Sequence, residues 1–203
     1  MIGELYARAL SGTGRVEIED AAGHRRPLPV DDWRALRPGD HGLLDRCTGP
    51  ALDVGSGPGR FTAALTARGV LALGIDVAPH AVALTVAAGG PALVRDVFGD
   101  VPGAGGYATV LLADGNIGIG GDPAALLGRA AELLAPGGRL LAEVAPPGTP
   151  SVVERVRLRG GRVTGEWFAW AVVSADDIAA AAGGYRVAEI WEEAGRWFAA
   201  LLR

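Results

Sequence analysis

Residues 52–61 constrain the fold of this chain more than any other segment. They read Leu-Asp-Val-Gly-Ser-Gly-Pro-Gly-Arg-Phe: an apolar strand with an acid near its end, then three glycines among small residues, then the start of a helical pattern. Glycine has no Cβ and tolerates positive φ, so bare backbone in such a turn can approach a bound molecule. The first N–H groups of the following helix have no partner within that helix. The segment therefore predicts an α/β corner that binds a nucleotide or nucleoside.

Alternating strand and helix patterns begin at residue 50. The strands are predicted at 51–54, 71–75, 92–95, 107–113 and 139–144, and the helices at 61–68, 79–88 and 124–134. Strands and helices that alternate at these lengths imply a parallel sheet covered on both faces. We therefore predict an α/β fold of the Rossmann-like, doubly wound kind, with a mostly parallel seven-stranded sheet. Asp122 is predicted to cap the helix that starts at Pro123.

The segments that flank this pattern are predicted to be shorter and partly antiparallel. The N-terminal extension, residues 1–49, should hold a helix at 4–10, strands at 15–19 and 26–30, and a helical segment at 41–47. An inserted hairpin, 152–159 with 162–172, should turn at Gly160-Gly161 and place Arg155 opposite Glu166 and Leu158 opposite Val163. A helix at 174–182 with Ser174 as its N-cap, and a C-terminal antiparallel hairpin of 185–192 with 196–202, should complete the chain.

The length of 203 residues suits one core and therefore one domain spanning residues 1–203. Within it we distinguish the extension (1–49), a cofactor-binding half (50–145), and a substrate-side hairpin with the C-terminal strands (146–203). The aromatic residues Trp167, Phe168 and Trp170 lie on both faces of one predicted strand, so a homodimer through this region is a further hypothesis.

The composition excludes several classes of protein. The chain has one cysteine, Cys47, and three scattered histidines, so we predict neither an intrachain disulfide nor a metal site. The net charge of −4 argues against a general nucleic-acid binder. Apolar runs stay well below the about 20 residues that span a bilayer, and residues 1–10 lack the pattern of a secretory signal. We therefore expect a cytoplasmic protein without membrane partners.

Acids at three successive strand ends narrow the ligand class. The glycine spacing is G-x-G-x-G rather than the G-x-G-x-x-G of dinucleotide folds. Asp53 would repel a pyrophosphate but suits a cationic ammonium group. Asp76 stands where an acid accepts both ribose hydroxyls, and Asp96 is within reach of an adenine amino group. These acids favour a positively charged nucleoside over a phosphorylated one.

Four motifs in this order resemble those of the class I S-adenosylmethionine-dependent methyltransferases. They are LDVGSGPG at 52–59, GIDV at 74–77, Asp96 after the third strand, and LAPGGRL at 134–140. The segment 111–123 lacks the (D/N)-P-P-(Y/F) pattern of enzymes that methylate nucleic-acid amino groups. The chain is therefore similar to the bacterial small-molecule type. The resemblance covers residues 50–203.

The resemblance also implies a set of site residues and S-adenosyl-L-methionine as the cofactor. The glycine turn, with Ser56, would frame the aminoacyl part, Asp53 would hold the ammonium through water, and Asp76 would bind the ribose. Asp96 would bind the adenine amino group, and Asp114 would lie between cofactor and substrate. The implied cofactor-binding residues are Asp53, Gly55, Ser56, Gly57, Gly59, Asp76, Val77, Asp96, Val97 and Asp114, where Val77 and Val97 would pack on the adenine ring.

The residues that act on the acceptor are less defined by the sequence. His41, Asp114 and Glu143 are the candidate catalytic residues, since a general base assists when the nucleophile is a hydroxyl or a protonated amine. His41 is alternatively a solvated loop histidine, and Glu143 a strand-end acid with satisfied contacts. Asn116 and Ile117 are the candidate substrate residues, with a purely local turn role as the alternative for Asn116.

The sequence thus predicts methyl transfer from S-adenosylmethionine to an O or N atom of a small metabolite. Two alternatives stay open at this point. One is a nicotinamide-dependent oxidoreductase, which the glycine spacing and Asp53 disfavour. The other is a protein that binds S-adenosylmethionine without transferring its methyl group.

Overall fold

A computed structural model describes residues 2–203. The helices are α1 (Ile2–Leu10), α2 (Asp40–Arg46), α3 (Arg60–Ala67), α4 (Pro79–Ala87), α5 (Pro123–Leu133) and α6 (Ile178–Ala181). The strands are β1 (Glu17–Asp20), β2 (Arg25–Pro27), β3 (Ala51–Val54), β4 (Ala72–Asp76), β5 (Ala92–Val94), β6 (Tyr107–Leu112), β7 (Leu134–Val144), β8 (Val152–Gly160), β9 (Val163–Thr164), β10 (Phe168–Val172), β11 (Arg186–Glu193) and β12 (Arg196–Leu202). Short 3-10 helices span Val30–Trp33 and Asn116–Gly121.

The main sheet has seven strands in the order β11-β12-β7-β6-β3-β4-β5. The five strands from β7 to β5 run parallel, and β12 and β11 add an antiparallel hairpin at one edge. The predicted Rossmann-like, doubly wound α/β fold is confirmed. Chain order reverses between β3 and β6, which are neighbours in the sheet, and ligands of open α/β sheets bind at such a point beyond the carboxyl ends of the strands.

Both faces of this sheet are buried. In β6, Val110 and Leu112 belong to the cluster under α5 and α6, whereas Leu111 belongs to the cluster under α2 and α3. Successive side chains of a strand point to opposite faces, so a strand buried on both sides appears as a continuous apolar run. This is why the run at 107–112 predicted a central strand. Within residues 2–203, no helix combines the length and apolarity needed to cross a bilayer.

A second, smaller sheet joins the N-terminal extension to the inserted hairpin. Its order is β10-β8-β1-β2, with β9 paired to β8. Strand β1 runs antiparallel to β8, with Ile18 opposite Leu158. Helix α1 covers this sheet through Leu5 and Ala9, which pack with Leu158. The extension is thereby fixed above the ligand end of the main sheet.

The register of the inserted hairpin corrects the sequence-based prediction. Gly160 pairs with Val163 across a Gly161-Arg162 turn, rather than Leu158 with Val163. Gly161 takes a left-handed φ of 61°, so the turn is centred one residue later than predicted. Strand β9 then ends after two residues, and β10 pairs with β8 in a further shifted register that places Ala169, not Glu166, opposite Arg155.

The predicted helix at 174–182 is also shorter in the structure. Ser174 forms a parallel bridge with Ala145, and the Ala145 N–H donates to the Val173 carbonyl at 2.8 Å. These backbone bonds hold residues 173–175 extended beside the end of β7. The helix therefore begins only at Ile178, and the Ser174 hydroxyl contacts the Asp177 carboxylate at 3.2 Å instead of capping a long helix.

Candidate functional site

The three glycines of the turn after β3 face different neighbours. Gly55, Gly57 and Gly59 all have positive φ, at 70°, 55° and 91°. A Cβ on Gly59 would lie 2.6 Å from the Thr85 Cα, so this position lets α3 and α4 pack closely. A Cβ on Gly57 would meet only one neighbour within 4 Å, the Tyr6 hydroxyl oxygen at 3.4 Å. Gly57 is therefore the glycine whose backbone borders open space at the site.

The Asn116 amide supports this turn from the opposite side. Its Nδ2 donates to the Val54 and Gly55 carbonyls at 2.9 and 3.0 Å. These bonds engage the side chain that the sequence suggested for substrate contact, and they give it a role in shaping the glycine turn. The neighbouring Ile117 is almost completely buried and packs in the core cluster under α5.

The Asp76 carboxylate lies at the end of β4 and joins the glycine turn to α4. One oxygen accepts the Gly57 N–H at 3.0 Å and the other accepts the Ala78 N–H at 2.8 Å. Burial raises the pKa of Asp76, and these backbone hydrogen bonds oppose that rise. A carboxylate oxygen can accept more than one hydrogen bond, so each Asp76 oxygen can still accept a hydrogen bond from a ligand hydroxyl.

An exposed apolar surface lies beside Asp76 and after β5. Val77 is 65% exposed and Phe98 is 44% exposed. Asp96 accepts the Phe98 N–H at 3.0 Å through its carboxylate, whereas Val97 is buried in the core. Phe98 was not identified from the sequence, although an aromatic residue two positions after a strand-end acid was the available signal. The packing of Val77 on an adenine ring and the contact of Asp96 with its amino group stay predictions.

Asp53 and Ser56 point into the protein rather than towards open space. The Asp53 carboxylate accepts the Thr62 N–H at 3.2 Å and the Thr62 hydroxyl at 2.7 Å, which fixes the first turn of α3. The Ser56 hydroxyl lies 3.4 Å from that of Thr85. Burial raises the pKa of Asp53 to about 6. The ammonium contact implied for Asp53 stays a prediction.

This raised pKa gives a testable dependence of stability on pH. Between pH 3.8 and about 6, the Asp53 carboxyl is protonated to a greater extent in the folded state than in the unfolded state. The stability that this protonation contributes is therefore lost as the pH rises through about 6. The Asp53→Asn protein keeps an oxygen for Thr62 and does not titrate there. We expect its Tm to rise relative to wild type from pH 4 to 7, and a difference independent of pH would contradict the assignment.

A network of three arginines and three carboxylates fills the space between the N-terminal extension and the ends of β6, β7 and β12. We call it the arginine–carboxylate network, and its members are Arg37, Asp40, Arg60, Asp114, Glu143 and Arg196. The formal charges of the six side chains cancel. The Arg60 side chain is 2% exposed and Asp40 is fully buried. A buried network of this kind is stable only while every charge keeps its partner.

Asp114 lies at the centre of the network, directly after β6. Its carboxylate accepts from Arg37 at 2.8 Å and from Arg60 at 3.0 Å. Burial raises the pKa of Asp114, and the Arg60 guanidinium opposes the rise. The Asp114 N–H donates to the Glu143 carboxylate at 2.7 Å. Two guanidinium nitrogens of Arg196 donate to the same carboxylate at 2.9 and 2.7 Å. Neither carboxylate is free of guanidinium contacts.

The structure does not bring His41 to this site. Helix α2 turns Asp40, Leu43 and Leu44 inward, and His41 is therefore exposed on the opposite side of the helix. Its Nδ1 lies 3.2 Å from a guanidinium nitrogen of Arg68 at the end of α3. This placement agrees with the alternative of a solvated histidine.

A cavity of about 380 Å³ opens beside the network, and we call it the acceptor cavity. The extension contributes one wall, the ends of β6 and β7 form the floor, and β10 forms the other wall. Its lining includes Pro29, Asp32, Trp33, Arg37, Asp114, Gly115, Ile117, Glu143, Pro146 and Trp170. The cavity thus combines two tryptophans with charged groups, and its lining residue Asp114 accepts a hydrogen bond at 3.0 Å from Arg60, which directly follows the glycine turn.

Residues 52–142 match the family model described as "Methyltransferase domain". No curated protein matches the chain in sequence. The matched segment covers a little under half of the chain, and together with the fold it supports an S-adenosylmethionine-dependent methyltransferase with S-adenosylmethionine as the methyl donor. The nicotinamide alternative is thereby set aside. The residues at the strand ends fit this cofactor, since Asp76 retains acceptor capacity, Gly57 borders open space and Val77 offers an exposed apolar surface.

Solved structures share the fold. A SAM-dependent methyltransferase from Bacteroides fragilis, solved with S-adenosyl-L-homocysteine, has a TM-score of 0.80 at 22% identity, over 98% of this chain and 93% of that one. The 1,6-didemethyltoxoflavin-N1-methyltransferase of Burkholderia thailandensis has a TM-score of 0.59 at 18% identity, covering 80% and 74%. The CcbJ methyltransferase of Streptomyces caelestis has a TM-score of 0.59 at 15% identity, covering 81% and 88%.

Proposed function

We propose that this enzyme methylates an O or N atom of a small metabolite that binds in the acceptor cavity. The observation that carries the proposal is the position of this cavity, which lies beyond the ends of β6 and β7 and is lined on one side by the extension. Its lining residue Asp114 accepts a hydrogen bond from Arg60, the residue that directly follows the glycine turn. A volume of about 380 Å³ is at the lower end for small-molecule sites.

We further propose which residues hold the cofactor. Asp76 accepts hydrogen bonds from the ribose hydroxyls, and Asp96 accepts one from the adenine amino group. Val77 and Phe98 pack on the adenine ring. The backbone at Gly55 and Gly57 borders the aminoacyl part, while Asp53, Ser56, Gly59 and Val97 act from behind by holding the turn, α3 and the loop after β5. When bound, the cofactor supplies a methyl group that its sulfonium charge already activates.

The polar floor of the acceptor cavity bears on the mechanism. Asp114 and Glu143 each accept hydrogen bonds from guanidinium groups, which occupy their oxygens and fix the orientation of both carboxylates. We propose that both act by positioning the acceptor and shaping the floor, with His41 outside the reaction. Positioning of a nucleophile for in-line attack supplies a large share of such a rate enhancement.

The walls of the cavity favour a flat acceptor. Trp33 of the extension and Trp170 of β10 both line the cavity, and aromatic side chains bind planar apolar groups with a preferred geometry. The Burkholderia enzyme is named as an N1-methyltransferase, which supports nitrogen as one acceptor atom. A heteroaromatic amine or a phenol is the acceptor class that this combination suits.

Turnover with a panel of such acceptors tests the proposal, with S-adenosylhomocysteine formation as the readout. For an acceptor that is turned over, Trp170→Leu should raise KM by about tenfold, because a desolvated aromatic contact is lost. The dissociation constant of S-adenosylhomocysteine should stay unchanged in calorimetry. Acceptor-dependent turnover with an unaltered KM in Trp170→Leu would contradict the assigned cavity.

A further inference from the structure

A tyrosine of the N-terminal extension lies over the glycine turn. Tyr6 belongs to α1, which packs through Leu5 against β8 and through Leu10 against the start of α4. The Tyr6 ring is half-buried between these two contacts and meets the Trp33 ring edge-on, with 6.2 Å between centroids. Two neighbouring elements and one aromatic contact therefore fix where the phenol points.

The Tyr6 hydroxyl lies on the ligand side of the glycine turn. It is 3.4 Å from the position that a Cβ on Gly57 would occupy, and no other atom comes within 4 Å of that position. The Gly57 N–H donates to Asp76, so the hydroxyl also lies close to the carboxylate proposed for ribose binding. A cofactor in the proposed pose must therefore pass directly beside this hydroxyl.

The hydroxyl is a hydrogen-bond donor without a partner among the residues that the structure describes. Among the hydrogen bonds of residues 2–203, none involves the Tyr6 hydroxyl. Burial raises the pKa of Tyr6 well above its ordinary value, and the Asp76 and Asp114 carboxylates raise it further. The phenol consequently stays protonated at any physiological pH, so that it donates a hydrogen bond and does not act as a base.

We propose that Tyr6 is a cofactor-binding residue, whose hydroxyl donates a hydrogen bond to an oxygen of the bound S-adenosyl group and thereby closes α1 over it. This inference rests on the cofactor pose proposed above. It also assigns a function to the N-terminal extension. Trp33 contacts Tyr6 and lines the acceptor cavity, so closure of α1 on the cofactor also fixes one wall of that cavity.

Tyr6→Phe tests the inference, since it removes the hydroxyl and keeps the ring against Trp33. We expect the dissociation constant of S-adenosylhomocysteine, measured by calorimetry, to rise about tenfold through the loss of one hydrogen bond. Tyr185→Phe is the matched control, because the Tyr185 hydroxyl donates to the Leu127 carbonyl at 3.0 Å on the α5 side of the sheet. Its affinity should equal that of wild type.

Hydrogen exchange provides a second readout. In wild type, S-adenosylhomocysteine should slow amide exchange across α1 and the segment Val30–Trp33, and Tyr6→Phe should lose most of that protection at saturating ligand. An affinity of Tyr6→Phe within about twofold of wild type, or a tighter one, would overturn the inference. If Asp76→Ala loses binding while Tyr6→Phe does not, the cofactor pose stands and only the role of Tyr6 falls. Failure of wild type to bind would overturn both.

Discussion

Asp76→Ala should weaken S-adenosylhomocysteine binding by about 100-fold or more, the largest expected effect on function. The substitution removes the acceptor of two ribose hydroxyls, and hydrogen bonds to a charged group are stronger than neutral ones. It also frees the N–H groups of Gly57 and Ala78, which Asp76 now holds at 3.0 and 2.8 Å. Calorimetry with S-adenosylhomocysteine measures the loss directly, without an acceptor.

Asp122→Ala is the matched control for this substitution. Asp122 also accepts a backbone N–H at a helix start, that of Ala125 at 2.9 Å, but it caps α5 away from the glycine turn. Its loss should cost about 1 kcal/mol of stability and leave the cofactor affinity unchanged. Retention of wild-type affinity by Asp76→Ala would show that the nucleoside lies elsewhere.

Arg60→Met should lower the free energy of unfolding by about 3–5 kcal/mol, the largest expected effect on stability. The methionine keeps an apolar stem near Phe61 but leaves Asp40, which is fully buried, with Arg196 as its remaining guanidinium partner. Removing one member of a buried ionic group is costly because its partner stays buried and incompletely compensated. Urea denaturation followed by circular dichroism measures the change.

Arg68→Met is the matched control for Arg60→Met, because Arg60 begins α3 and Arg68 directly follows its last residue. Arg68 follows α3 and pairs with Asp45 at 2.7 Å, where the two side chains are 35% and 69% exposed. Solvent screens such a pair, so its removal should cost at most about 1 kcal/mol. Equal losses in the two variants would mean that the arginine–carboxylate network contributes no more than a surface ion pair.

Local sequence patterns predicted most of the central fold. Strand β3 and the start of α4 agree with the prediction because glycine, proline and continuous apolar runs act on the backbone where they stand. The predicted register of the inserted hairpin was wrong, since either of two adjacent glycines suited the turn. Only the pairing of β8 with β1 and β10 selected the position of the turn. The backbone bridge between Ser174 and Ala145 likewise holds the start of the predicted helix extended, so the helix after Ser174 is shorter than predicted.

The sequence predicted residues for the cofactor half of the site, whereas it gave little indication of the acceptor half. Asp76 ends β4 and Asp96 lies two residues after β5, so the ends of these parallel strands place both acids at the same edge of the sheet. The acceptor cavity instead depends on Trp33 and Trp170, from two segments that meet only through the second sheet. The position of Tyr6 over the glycine turn likewise follows from the packing of α1 and not from its spacing in the sequence.

The sequence by itself determined a doubly wound sheet with a nucleoside corner at residues 52–61, because glycine geometry and apolar periodicity are properties of neighbouring residues. The tertiary structure alone decided how the extension closes that corner. Asp40 and Arg196 meet at 2.6 Å although 156 residues separate them, and Asp114 gathers Arg37 and Arg60 from different elements. Charges pair across such distances only after the core has fixed the elements that carry them.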